Sequence, residues 1–201
     1  MKKVVKKCIV NYFSYLKNVD DTWNDLCKSA KEVIRALKNR CQQLRLVNSI
    51  ETDKQEIFKI AGLREKLILK LIRGIQEEMT LLGNLLARLN CINQELKNKL
   101  MRLEEARSNI SLKDSEIEEL VSGSPVFPKL EKLLIWAQEV YDYYKTLYQN
   151  INEAMLSLDY KNEETIDRLE NSFQINYYWR IKIDRVRGLT EALSKTVIPQ
   201  V

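Results

Sequence analysis

The side chains of this 201-residue chain that could carry chemistry are few, and their spacing suits little of it. Histidine is absent, which removes the commonest general base and the commonest metal ligand. The adjacent carboxylates Glu77-Glu78 and Glu104-Glu105 could share a proton or hold a cation, yet neither has a Glu-x-x-His partner, and both read as solvated helix faces. Cys8, Cys27, Cys41 and Cys91 lack the paired spacing of a zinc site. On one helix Cys27 and Cys41 would stand about 21 Å apart, too far for a disulfide, and they read as small buried hydrophobes of a reducing compartment. There is no Walker loop and no dinucleotide fingerprint. Neither enzymatic activity nor a cofactor or metal is expected. Ser111 and Ser115 each precede a carboxylate by three residues, Asp114 and Glu118, which makes them candidate phosphorylation sites for an acidophilic kinase; the same spacing suits a helix capping box.

Aromatic rings with polar handles are the other candidate chemistry. Seven of the nine tyrosines lie beyond residue 140. Between 129 and 157 one helical stripe is Leu130, Leu134, Ala137, Tyr141, Tyr144, Tyr148, Ile151 and Met155. A second, one position away, is Leu133, Trp136, Val140, Tyr143 and Leu147. A helix with a single neighbour needs one such stripe, so two imply packing on two sides. Tyr and Trp suit partly wet contacts, and Trp136, Tyr143, Tyr144 and Tyr148 are the candidate partner-binding residues. An aromatic-rich core is the alternative for the same residues.

The elements that must position these rings are long helices. From Ile9 the rows Ile9, Leu16, Trp23, Ala30, Leu37, Leu44 and Tyr12, Val19, Leu26, Val33, Arg40, Val47 keep a seven-residue repeat, predicting a helix over about 4–49. A short amphipathic piece carries Ile57, Phe58 and Ile60. From Leu63 a second repeat runs through Ile68, Ile75, Leu82, Leu89, Leu96 and Leu103, with Ile72, Met79, Leu86, Asn93 and Leu100 beside it. Asn93 is its only polar member and either fixes register or sits at a rim. Gly74 and Gly83 inside this helix are explained if another helix approaches closely. Five Gly and three Pro in all favour the all-α class. Helices of roughly 60 and 70 Å do not fit a globule of this length, so an elongated antiparallel coiled-coil hairpin with a C-terminal helical bundle or hairpin is expected. The expected divisions are 1–110 for the long helices, 111–128 for a linker, and 129–201 for the aromatic region. In the last, Asp159 to Asn162 makes a turn, Asn162 opens a helix carrying Ile166, Leu169 and Phe173, and a further stretch runs from Tyr177 to Leu193.

Net charge is +5, and residues 1–50 alone hold 11 Lys and Arg against 4 Asp and Glu. A basic first helix is a solvated face or a contact for an acidic partner, protein or RNA phosphate. No aromatic-bearing basic loop accompanies it in the sequence, so specific base reading is not expected. No apolar run approaches the length of a membrane span and the N-terminus lacks a signal-peptide pattern, so a soluble intracellular protein is expected.

Particular residues resemble a known family. Val5-Lys6-Lys7-Cys8, Trp23, Gln43-Leu44 and Leu63-Arg64-Glu65-Lys66-Leu67 resemble the N-terminal half of the AAA-ATPase-interacting ribosome maturation factors (AIRIM-like). Leu133-Leu134-Ile135-Trp136, Tyr143-Tyr144 and Tyr148 are similar to that family's Leu-Glu-Trp-Leu and Tyr-rich helix, and Leu158-Asp159-Tyr160 to its Gln-Trp-Gly-Asp corner, with Tyr160 in place of Trp. Residues 177–201 follow the family less closely. The resemblance implies a non-enzymatic adaptor subunit of a AAA-ATPase complex acting in cytoplasmic maturation of the large ribosomal subunit, with a link to replication and chromatin. Its implied partners are AAA ATPase subunits, a second small helical protein resembling a cyclin-dependent-kinase-interacting protein, and the pre-ribosome, in cytoplasm and nucleus. A structural coiled-coil tether of kinetochore or vesicle type is the alternative that the helices alone allow.

Overall fold

A seven-residue apolar repeat needs a facing surface along its whole length, and α1, Lys2–Ser49, has one. Of its two rows only Val33 and Arg40 are not buried. In this computed structural model the described residues are 2–49, 62–110, 118–124, 127–174 and 177–195. They form α1, then α2 (Leu63–Ser108), α3 (Glu118–Ser122), α4 (Leu130–Leu156), α5 (Glu163–Ser172) and α6 (Tyr177–Lys195), with no strand among them. The protein is all-α. Ile57, Phe58, Ile60, Ser111 and Ser115 lie outside the described residues.

The chain divides into two compact units, each assembled from separate stretches: Met1–Asn24, Leu89–Tyr148 and Ile175–Val201 in unit 1, and Asp25–Arg88 with Gln149–Gln174 in unit 2.

In unit 2 the second half of α1 runs antiparallel to the start of α2, as the contacts of Asn48 with Arg64 and of Arg40 with Glu78 require. Arg40, the polar member of the α1 seam, lies across α2 at Gly74, and its Nε donates to Glu78 Oε1 at 3.2 Å. A Cβ at Gly74 would overlap the Arg40 guanidinium, so the missing side chain makes room for a half-buried ion pair. Gly83 faces open space. Gly83→Ala is therefore expected to raise stability by about 1 kcal/mol through helix propensity. Gly74→Ala makes the same local gain but must displace Arg40 from Glu78, and urea unfolding should show a net loss of about 1 kcal/mol or more. Equal stabilisation by both would refute the role of Arg40.

α5 follows a turn in which Asn162 N–H donates to Asp159 O at 3.0 Å. Asn162 then caps the helix, its Oδ1 accepting from Glu164 N–H at 3.0 Å, which satisfies an otherwise orphaned donor. Ile166, Leu169 and Phe173 turn inward, and ion pairs of Lys38 with Asp167 at 2.5 Å and Arg45 with Glu163 at 3.1 Å fasten the helix to α1.

In unit 1 the beginning of α1 buries Val5, Ile9 and Leu16, and the end of α2 buries Leu96, Leu100 and Leu103. Tyr15 Oη donates to Glu95 Oε2 at 2.8 Å on the rim, and Lys99 Nζ lies over the Tyr15 ring at 4.6 Å. α4 buries Leu130, Ala137 and Tyr144 of one stripe and Leu133, Val140, Tyr143 and Leu147 of the other, so it has neighbours on two sides, while Leu134, Tyr141, Tyr148 and Trp136 of those stripes are half-buried. Tyr12 on α1 donates to the Ala137 carbonyl at 2.6 Å, and Asn93 on α2 donates to the Tyr144 carbonyl at 3.3 Å. Asn93 is thus a core residue that ties α2 to α4, although its Oδ1 has no partner among the described residues. α6 closes this unit with Ile183, Val186 and Leu193.

Candidate functional site

The chemistry in unit 1 gathers where α1, α4 and α6 meet. Asp20, one position past the Val19 seam residue of α1, is only 3% exposed. A lone carboxylate there would be costly, and three donors answer it. Tyr144 Oη on α4 donates to Oδ1 at 2.9 Å, Arg180 on α6 donates to the same oxygen at 2.7 Å, and Arg187, two turns further along α6, donates to Oδ2. Arg187 also lies 3.7 Å from Asp21, and Arg180 bridges on to Asp184 at 3.0 Å. Trp23, one turn along α1 from Asp20, packs its indole on the Tyr144 ring, with centroids 5.0 Å apart.

Burial, reinforced by the Asp20 charge and hydrogen bond, holds the Tyr144 hydroxyl well above its ordinary pKa of 10.0. Tyr12 is raised likewise, first by burial and then by Asp142. In an unfolded chain these phenols would ionise near 10, so the folded state binds more protons above that pH. Their contribution is intact below about pH 10 and is lost as the solution becomes more alkaline. For Arg180 burial pulls the guanidinium pKa down, but Asp20 and Asp184 outweigh it and the net direction is up.

Behind this anchorage α6 lies along α4. Trp179 stacks on Tyr143 with centroids 5.6 Å apart, and Lys182 reaches Glu139 at 2.7 Å while lying over the Trp179 ring at 4.9 Å. The outer face of α6 is a stripe at helical spacing, Tyr178, Ile181, Arg185 and Leu189, whose three apolar members are 70%, 51% and 43% exposed. Leu189 also borders a cleft with Trp136, Lys129 and Lys132.

The four rings singled out by sequence are therefore placed differently from one another. Tyr144 and Tyr143 are in the core, the first through Asp20 and Trp23, the second against Trp179. Trp136 is half-buried at the cleft with Lys132 over its ring at 5.1 Å, and Tyr148 is half-buried on α4. Sequence reasoning passed over Asp20, Arg180 and Arg187. The only signal was an Asp immediately beside a seam position and an i, i+7 pair of arginines on α6. Cys27 and Cys41 are buried, Cys8 half-buried and Cys91 exposed. Among the described residues no group of three or more His, Cys, Asp or Glu gathers as around a metal ion, and no helix is long and apolar enough to cross a membrane.

A family model described as Ribosome biogenesis protein C1orf109-like matches residues 3–193. No curated protein matches the chain.

Proposed function

The chain belongs to the Ribosome biogenesis protein C1orf109-like family, and from that premise we propose that it is a non-enzymatic helical adaptor of a AAA-ATPase complex acting in cytoplasmic maturation of the large ribosomal subunit. In this reading the energy of remodelling comes from the ATPase, and the chain supplies docking. The observation that carries the reading is the α6 stripe. Tyr178, Ile181 and Leu189 expose an apolar ridge, broken once by Arg185, on a helix whose inner side is fastened by two arginines to Asp20. An exposed apolar ridge on a rigidly held helix is what a partner helix needs, and the aromatic at its end is the kind of residue that dominates such contacts. The partner is a second small helical protein or an ATPase subunit.

Affinity purification of the tagged chain, followed by mass spectrometry, tests this directly. The wild type should recover a AAA ATPase and a small helical protein in comparable amounts. Tyr178→Ser with Ile181→Ser should reduce their recovery at least about tenfold, as expected for loss of an interface anchor worth about 2 kcal/mol. Circular dichroism should show helicity unchanged, because both side chains are largely exposed. Recovery of no ATPase from the wild type, or undiminished recovery with the variant, refutes the reading.

A further inference from the structure

We propose that one end of unit 1 is a docking surface for single-stranded RNA. Two basic segments far apart in sequence meet there. Lys3, Lys6 and Lys7 occupy the first turns of α1, at i, i+3 and i+4, and so share one face. Lys129 and Lys132 flank the start of α4. Phe127 joins them, since Lys6 Nζ lies 5.6 Å from its ring centroid and the Phe127 N–H donates to Ser124 Oγ at 3.0 Å, closing the turn that leads into α4. Gly123, at φ +72, lets that turn pass close to the Lys129 backbone, where a Cβ would meet the amide nitrogen at 2.9 Å. Beside this contact Ser122, Ser124, Lys129, Lys132, Trp136 and Leu189 line a cleft of about 440 Å³ that holds no carboxylate, and the α1 lysines adjoin it through Phe127 rather than line it. The sequence shows a basic helix without an aromatic-bearing basic loop; folding supplies the loop.

The charge is available for a ligand. Among the described residues no carboxylate pairs with Lys3, Lys6, Lys7, Lys129 or Lys132, although Glu131 is on the same helix as Lys132. By contrast Lys182, Arg180 and Arg187 in the same unit are held by Glu139 and Asp20. Lys3, Lys7, Lys129 and Lys132 are exposed, and Trp136 keeps part of its indole at the surface. Lysines are point charges suited to a phosphate array, while half-exposed rings and serine hydroxyls beside them suit an unstacked base and its sugar. A chain in a ribosome-biogenesis family meets RNA as its commonest polyanion, which favours RNA over an acidic protein. The inference rests on that family membership; Leu189 of the α6 stripe borders the cleft, but the test changes only α1 lysines and Trp136 and so is separate from the Tyr178 and Ile181 variant.

The test is fluorescence anisotropy of the full chain with a labelled oligouridylate of about twenty nucleotides, titrated between about 50 and 200 mM salt. With about five phosphate contacts at roughly −0.7 each, log affinity should fall against log salt with a slope near −3.5. Changing Lys3, Lys6 and Lys7 to Gln should flatten that slope by about 2 and weaken binding at least about tenfold at low salt. Trp136→Leu should weaken binding about tenfold while leaving the slope unchanged, the mark of a stacking contact. A charge-matched control, Lys31, Arg35 and Lys70 changed to Gln on exposed positions of unit 2, should move neither quantity by more than about twofold. The proposal is overturned by absence of binding at low salt, by a control as damaging as the α1 variant, or by polyglutamate of equal length displacing the RNA at equal concentration.

Discussion

Asp20→Ala is expected to destabilise the protein by about 3 kcal/mol and to loosen α6 selectively. The wild-type carboxylate accepts from Tyr144 and from both arginines of α6, and removing it leaves each guanidinium only its exposed partner, Asp184 or Asp21. Breaking a buried ion pair from one side costs roughly 3–5 kcal/mol. The arginine side chains are 30% and 25% exposed, so water recovers part of that and the lower end applies. Asp20→Asn keeps the volume and one acceptor and should cost about half as much. Replacing Asp20, Arg180 and Arg187 by Leu, Met and Met together with Tyr144→Phe should recover most of the loss, because the Tyr144 hydroxyl that donates to Asp20 is then removed as well and the apolar set needs no compensation. Hydrogen exchange distinguishes a local from a general effect. The α6 amides should exchange at least about tenfold faster in Asp20→Ala while those of α5 stay unchanged, and uniform acceleration would show that Asp20 does not act through α6.

Trp23→Ala should be costlier still, about 4 kcal/mol, which brings a domain of ordinary stability near its limit. The indole is 1% exposed and packs on Tyr144, so alanine leaves a cavity at the point where α1 and α4 approach. The indole N–H has no partner among the described residues. Trp23→Phe removes that unpaired donor along with part of the ring, and the two effects oppose each other. A loss below about 1.5 kcal/mol is therefore expected for Phe in guanidinium unfolding. A loss as large as that of alanine would show the N–H to be satisfied.

Much of the helical architecture was legible from residue spacing. A repeat that keeps Ile9, Leu16, Trp23, Leu37 and Leu44 on one line can hide those side chains only as a helix, and all five are buried. Asn162 with Glu163 and Glu164 announced the start of α5 because a cap is a local transaction between neighbours. The weaker readings share a different physics. Asp20 looks like any polar residue on a solvated helix until α6, 160 residues away, brings Arg180 to it. Tyr143 and Tyr144 have the polar handles expected of a wet interface, but Asp20 satisfies the Tyr144 hydroxyl internally and the pair is buried instead. Arg40 breaks the α1 seam and Gly74 weakens α2, and each looks like a flaw alone; together they form one contact. The lysines of α1 and the loop at Phe127 likewise acquire meaning only through long-range proximity. Local spacing predicts elements well because caps and periodicity act within a few residues. Sites made by contacts across the fold leave no comparable mark on the sequence.

The Asp20 anchorage also bears on how this chain and its relatives can diverge. An ancestor that lost the carboxylate alone would leave Arg180 and Arg187 only their exposed partners Asp184 and Asp21, and one that lost an arginine alone would leave the acid short of a donor. Positions 20, 180 and 187 are consequently tied into one unit of inheritance, with 144 free to alternate between Tyr and another donor. Relatives in which residue 20 is apolar are expected to have exchanged both arginines as well. Drift at these sites should therefore proceed through rare joint replacements, while the neighbouring solvent-facing positions of α6 change one at a time.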